Sequence, residues 1–188
     1  MAGSRYTLID PLKTQVIFAA CATACAGAAC FYDLRESRIP NRLTLPVLLA
    51  ALLAHAGVGS WKGLGDAVAA AGLAGFAFLL FHLAGGMGAG DVKLMAASAA
   101  VIGLPGLGTL LLATGVAGGI FAICVSLFRG VLRQTVTNAF AIAAHHGSRG
   151  LTPHPELNLS SGQGIRLPFA VPIAVGCAVT LALEMVGR

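Results

Sequence analysis

The sequence predicts an all-α integral membrane protein, a single domain over residues 1–188 with about six transmembrane helices and an aspartate pair at their cytoplasmic ends. Three observations carry the fold class. Hydrophobic residues make up 57% of the chain and charged ones only 10%, with a mean hydropathy of +0.85, whereas soluble domains carry about 25% charged residues. Uncharged stretches recur, among them the 24 residues from Ala67 to Gly90 and the 35 from Leu94 to Phe128. At about 20 residues per crossing of the hydrocarbon, 188 residues supply roughly six spans and leave little for a soluble module.

The net charge of +5 does not point to nucleic acid, because the basic residues fall beside apolar segments and form no basic face with interleaved aromatics. The bilayer is the expected partner. Of the five cysteines, Cys21, Cys25 and Cys30 lie in the first apolar segment, Cys124 in the fifth and Cys177 in the last. None forms a CxxC pair, so neither a zinc site nor a disulfide framework is indicated, and each reads as a small buried hydrophobe.

Each element follows from the charge pattern. The first 13 residues are polar, with Arg5, Asp10 and Lys13, and residues 14–32 carry no charge, enough for one span. This beginning resembles a secretory signal peptide, but the uncharged run is long for one, so it is read as a retained helix. The charge-dense loop Asp33 to Arg42 follows, where Pro40 disfavours helix at Ile39 and Asn41 stands ready to cap the next span. That second span is placed at 43–57, with His55 its titratable residue, and residues 57–65 read as a turn containing Trp61, a residue typical of the membrane interface. The third span, 67–84, is rich in Ala and Gly that suit close packing in lipid, and His82 near its end reads as a packed or hydrogen-bonded histidine.

The run Gly85-Gly86-Met87-Gly88-Ala89-Gly90 then breaks the helix before Asp91. Turn residues from Gly103 to Gly108 divide the next apolar stretch into a short fourth span, 91–102, and a fifth, 108–128. The dozen residues of span four reach about 18 Å against a core about 30 Å thick, so Asp91 is expected below the membrane surface in backbone lined by protein. The polar connection 129–166 comes next. Leu132, Val136 and Phe140 recur every four residues, which reads as an amphipathic helix on the membrane surface up to about Ala144, followed by flexible loop. Its histidines show no metal-ligand spacing. The last span is placed at 167–185, with Pro168 and Pro172 in its first turns.

Six spans alternate sides. Arg5, Lys13, Lys62 and Arg188 fall on one side, and Arg35, Arg38, Arg42, Lys93, Arg129, Arg133, Arg149 and Arg166 on the other, which the positive-inside rule makes cytoplasmic. Asp33 closes span one and Asp91 opens span four, so both belong to that side. An acid at the edge of so much apolar sequence marks a functional site by default. Two carboxylates at one level are the minimum kit for aspartic proteolysis: one, ionised, activates water, while the other, protonated, polarises the scissile carbonyl. They are equally compatible with helix caps, with pairing to nearby Arg or Lys, or with a small cation- or proton-coupled transporter using the same acids. The absence of visible internal symmetry weighs against a transporter. A non-catalytic assembly factor is a third reading, but it would need no acid pair.

Together these segments resemble the prepilin peptidases, the GxGD-type aspartic proteases of bacterial membranes. The resemblance is carried by Asp33 followed by Ile39-Pro40-Asn41, by Gly88-Ala89-Gly90-Asp91-Val92-Lys93, and by the Leu167-Pro168-Phe169-Ala170 start of the last span. It covers nearly the whole chain, and the two aspartate motifs in this order make it specific. It implies an endopeptidase that removes the leader of a type IV pilin-like precursor at the cytoplasmic face of the inner membrane. Asp33 and Asp91 are then the catalytic pair, and Gly88, Gly90, Lys93, Pro40 and Asn41 are substrate-binding residues. Larger members carry paired CxxC motifs and methylate the new N-terminus. This sequence lacks those motifs and so looks like the short, peptidase-only members serving Flp-type pili, with no zinc and no methyl donor expected. The archaeal preflagellin peptidases are similar. Presenilin-like proteases share GxGD but set a Tyr-Asp in a later helix, whereas Tyr32-Asp33 sits in span one.

Overall fold

A computed structural model of the chain describes residues 11–36, 38–150 and 168–186. The polar segment before residue 11, the expected loop 151–166 and Leu167 lie outside the described residues. Among the described residues there are six helices and no strand: α1 (Pro11–Glu36), α2 (Asn41–Leu83), α3 (Ala89–Ile102), α4 (Leu104–Phe128), α5 (Leu132–Arg149) and α6 (Ala170–Val186). The protein is an all-α membrane protein, in which α1, α2 and α4 are long and apolar enough to cross a bilayer.

At 1.5 Å per residue, the 43 residues of α2 would reach about 65 Å, twice the hydrocarbon thickness. The helix avoids this by breaking at Ser60, whose backbone stands at φ 56° and ψ −149°. A Cβ on Gly63 would lie 2.5 Å from the His55 carbonyl oxygen. Residues eight apart meet in this way only where the chain doubles back, so α2 is a hairpin of two arms, 41–59 and 61–83. Trp61 is exposed at the bend. The turn expected across 57–65 is thus a single residue with helix on either side.

Between the arms sits α3, nearly every residue of which from Leu94 to Ile102 is buried. Its start is joined to the start of the first arm by Lys93 Nζ donating to Asn41 Oδ1 at 2.9 Å. Its far end is met by His55 Nε2, 3.0 Å from the Val101 carbonyl. The first arm therefore runs parallel to α3. The second runs antiparallel, with Gly75 so close to Ala96 that an added Cβ would lie 3.3 Å from the Ala96 Cβ. A helix buried all round is the core of its bundle, and because the neighbours cover it, α3 can stay at 14 residues, about 21 Å, without spanning the hydrocarbon itself.

The remaining helices close around α3 with their small residues inward. On α1 the buried positions Ala19, Ala22, Ala26 and Ala29 repeat at three and four residues and lead directly to Asp33. On α4 the inner face carries Leu107, Leu110, Thr114 and Gly118, while Leu112, Val116, Ile120, Ile123 and Leu127 are exposed toward the membrane. Gly176 of α6 lies against Thr114, with no room for a side chain between the helices. Such close backbone approach is how helices associate in lipid, where apolar surface alone provides no drive. The boundary between α3 and α4 is Gly103 alone, at φ 80°. Leu104 and Pro105 already belong to α4, where proline suits the first turn. The surface helix α5 runs five residues past the expected Ala144, to Arg149, and begins beside α4, where Ser126 Oγ donates to Thr135 Oγ1 at 3.0 Å.

Candidate active site

One end of the bundle collects the C-terminus of α1, the starts of α2, α3 and α6, and the turn from α2 into α3. Asp33 lies here, the last member of the α1 seam, 93% buried. Burial follows from register: the seam that presents alanines to the bundle presents position 33 as well. The Ala170 backbone N–H, at the first residue of α6, points at Asp33 Oδ2 from 3.5 Å. The positive end of a helix dipole therefore faces this carboxylate. Phe169, just before it, is wedged between helices. Its ring meets Phe78 edge-on, with centroids 5.9 Å apart, and its Cζ lies 3.1 Å from where a Gly118 Cβ would be.

Asp91 occupies the first turn of α3 and is partly buried. Gly88 stands before it in extended backbone, φ −76° and ψ 146°, and caps α3 without a side chain. The Asp91 N–H reaches back to the Gly88 carbonyl at 3.2 Å. Gly90 lies against Ile39: an added Cβ would be 3.3 Å from the Ile39 Cβ and 3.6 Å from its backbone nitrogen. Pro40 caps α2 in extended conformation, φ −71°, and Asn41 receives the Lys93 hydrogen bond. The structure thus brings Ile39-Pro40-Asn41 across Gly90-Asp91-Val92-Lys93, motifs about fifty residues apart in sequence. The close approach that Gly90 permits is made by Ile39 of the same chain. Beside Lys93, a groove of about 270 Å³ is lined by Asn41, Thr44, Leu45 and Leu48 of the first arm and by Ala96 of α3. Arg35 stacks 4.5 Å over the Phe31 ring. Among the described residues no group of three or more His, Cys, Asp or Glu could hold a metal ion.

Two further residues at this end, Ala170 of the Leu167-Pro168-Phe169-Ala170 stretch and His82, make contacts that the sequence motifs do not assign. Ala170 contributes a main-chain donor, which no side-chain pattern announces. His82 Nδ1 lies 2.8 Å from the Met87 carbonyl, inside the turn that leads to Asp91. Its place three residues before the glycine run was the available signal.

A model of the type IV leader peptidase family matches residues 20–123, more than half of the chain. The chain belongs to the type IV leader peptidase family. The matched region contains Asp33, Ile39-Pro40-Asn41 and the whole Gly88 to Lys93 segment, while α5 and α6 lie beyond it. Over 110 residues the chain is 40% identical to a prepilin leader peptidase/N-methyltransferase of Aeromonas salmonicida (strain A449), covering 54% of this chain and 37% of that protein. Over 149 residues it is 33% identical to a protein of the same description from Aeromonas hydrophila, covering 68% of this chain and 51% of that protein. The chain thus spans between about a third and a half of the curated relatives it matches. No solved structure matches it.

Proposed function

We propose that this protein is a membrane aspartic endopeptidase that removes the leader peptide of type IV pilin-like precursors, with Asp33 and Asp91 as its catalytic pair. The observation that carries the reading is the family match across both aspartate segments. Asp33 supports it by lying buried at the end of an alanine seam, where an acid has no packing reason to be. In the reaction one carboxylate, ionised, takes a proton from water as the oxygen attacks the scissile carbonyl. The other, protonated, gives its proton to the carbonyl oxygen. Collapse of the tetrahedral intermediate breaks the C–N bond: one of its hydroxyls returns a proton to the second acid, and the leaving amine takes up the proton held by the first. Gly88, Gly90, Pro40, Asn41 and Lys93 form the wall along which the extended substrate backbone runs.

The eight basic residues on the side of Asp33 and Asp91, against four on the other, support a cytoplasmic active site in the inner membrane. The lack of any CxxC pair in this sequence supports a peptidase without methyltransferase activity, of the kind that serves Flp-type pili. The test incubates purified protein with a pilin precursor and a methyl donor and follows both leader loss and the product N-terminus by mass spectrometry. Wild type cleaves and leaves the new N-terminus unmethylated, while Asp33→Asn and Asp91→Asn do not cleave. Processing at the wild-type rate by either variant sinks the paired mechanism, and a methylated product sinks the peptidase-only reading. Labelling of Ser148→Cys, in a background without the five native cysteines, occurs from the cytoplasm if the orientation is right.

A further inference from the structure

We infer that His82 is a positioning residue for Asp91, holding the glycine-rich turn through the Met87 carbonyl so that α3 starts in the register that presents the acid. The inference rests on the peptidase reading above for its consequence in catalysis, and on the geometry of residues 82–91 for the hold itself.

The turn has little else to fix it. Leaving α2, the Ala84 N–H bonds to the Leu80 carbonyl at 2.9 Å, Gly85 to His82 at 2.9 Å and Gly86 to Phe81 at 3.0 Å. These bonds finish the helix and reach no further. At the other side, Gly88 caps α3 with no side chain to bond its first turn, and the Asp91 N–H reaches only as far back as the Gly88 carbonyl. Between these two ends only Met87 has a side chain larger than a methyl group. The glycines around it are the residues with most backbone freedom to lose.

Met87 is therefore the pivot, and it is held twice. Its side chain is buried in the bundle, and its carbonyl receives the His82 ring at 2.8 Å. A carbonyl only accepts, so His82 Nδ1 carries the proton. The donor belongs to the last turn of the second arm of α2, a rigid element packed along α3. The hold thus references the turn to the bundle, and Asp91 is four residues further on.

The reach of the donor supplies a test that separates position from bulk. An asparagine amide nitrogen is the same number of bonds from Cα as His Nδ1, whereas a glutamine nitrogen is one bond further, where Nε2 stands. Precursor cleavage and backbone amide exchange over residues 84–93 are measured on the full chain for His82→Ala, His82→Asn and His82→Gln. The Ala and Gln variants lose about 10- to 100-fold in kcat, with KM within about threefold, as expected for a catalytic group displaced by up to an ångström. Their 84–93 amides also exchange faster. The Asn variant returns to within about fivefold of wild-type kcat, with native exchange, because it restores the donor. Wild-type kcat and exchange in His82→Ala overturn the inference, and so does a folded His82→Asn as slow as His82→Ala. Asp91→Asn run alongside keeps the two claims apart. If it still cleaves, the peptidase reading fails, and exchange alone decides whether His82 holds the turn.

Discussion

On the peptidase reading, substituting Gly118 should slow cleavage through a chain of contacts ending at Asp33. A Cβ at position 118 would lie 3.1 Å from Phe169 Cζ and 3.4 Å from its Cε2, against an optimum of about 3.5–4.0 Å for carbon atoms. Gly118→Ala therefore asks the ring to shift by about 0.5 Å. Gly118→Val adds two methyl groups on the same side and asks for about 1 Å, an overpacking worth roughly 1–3 kcal/mol. The ring has little room, because Phe78 stands edge-on at 5.9 Å on its other side. Backbone movement at Phe169 is passed to the adjoining Ala170, whose N–H is already 3.5 Å from Asp33 Oδ2, beyond the usual 2.7–3.2 Å for such a bond. Loss of the donor leaves a buried carboxylate short of a partner, at about 1–3 kcal/mol. The expected outcome is a loss of about two- to fivefold in precursor cleavage for Gly118→Ala and about 10- to 100-fold for Gly118→Val. Adding Phe169→Leu to Gly118→Val should recover part of it, since the clashing ring atoms are gone. A Gly118→Val protein that melts normally and cleaves within twofold of wild type refutes the chain of contacts, as does a double variant no better than the single.

Two further outcomes follow from the geometry. The Lys93–Asn41 bond, 2.9 Å and exposed, should give a coupling of about 0.5–1 kcal/mol in kcat/KM in a double-mutant cycle of Asn41→Ala and Lys93→Met; additive effects would mean the bridge does not bear on the site. Ser60→Gly should raise the melting temperature by a few degrees, because φ 56° with ψ −149° strains any residue with a Cβ by about 1–3 kcal/mol, of which glycine's extra chain entropy takes back about 0.5–1. An unchanged or lowered melting point would show that the bend is not strained.

Sequence reasoning reached the all-α membrane class, the glycine break before Asp91 and the shortness of α3, because charge spacing and glycine clusters are local signals. It could not separate inner from outer faces. In lipid both faces are apolar, so hydropathy is silent and size becomes the readout: Ala22, Ala26 and Ala70 are buried while Leu53, Leu112 and Phe128 are exposed. Had residue size along α1 been read at three- and four-residue spacing, Asp33 would have emerged as the last position of the alanine seam. The break of α2 at Ser60 was hidden among the more probable Gly57, Gly59 and Gly63, since several glycines share the stretch and only one residue is needed to turn. The approach of Ala170 to Asp33 spans 137 residues and uses a main-chain donor, so no residue type could signal it. For His145 to Arg149 glycine and polar residues favour a loop, but α5 continues through them.

The placement of that donor on α6 gives the membrane insertion order a chemical meaning. Asp33 is threaded with the first helix and Asp91 with the third, while the N–H group aimed at Asp33 arrives only when the sixth docks between α1 and α4. Until then Asp33 lacks the dipole that faces it in the finished bundle. On the peptidase reading, Asp33 thus gains its full electrostatic setting only with completed assembly.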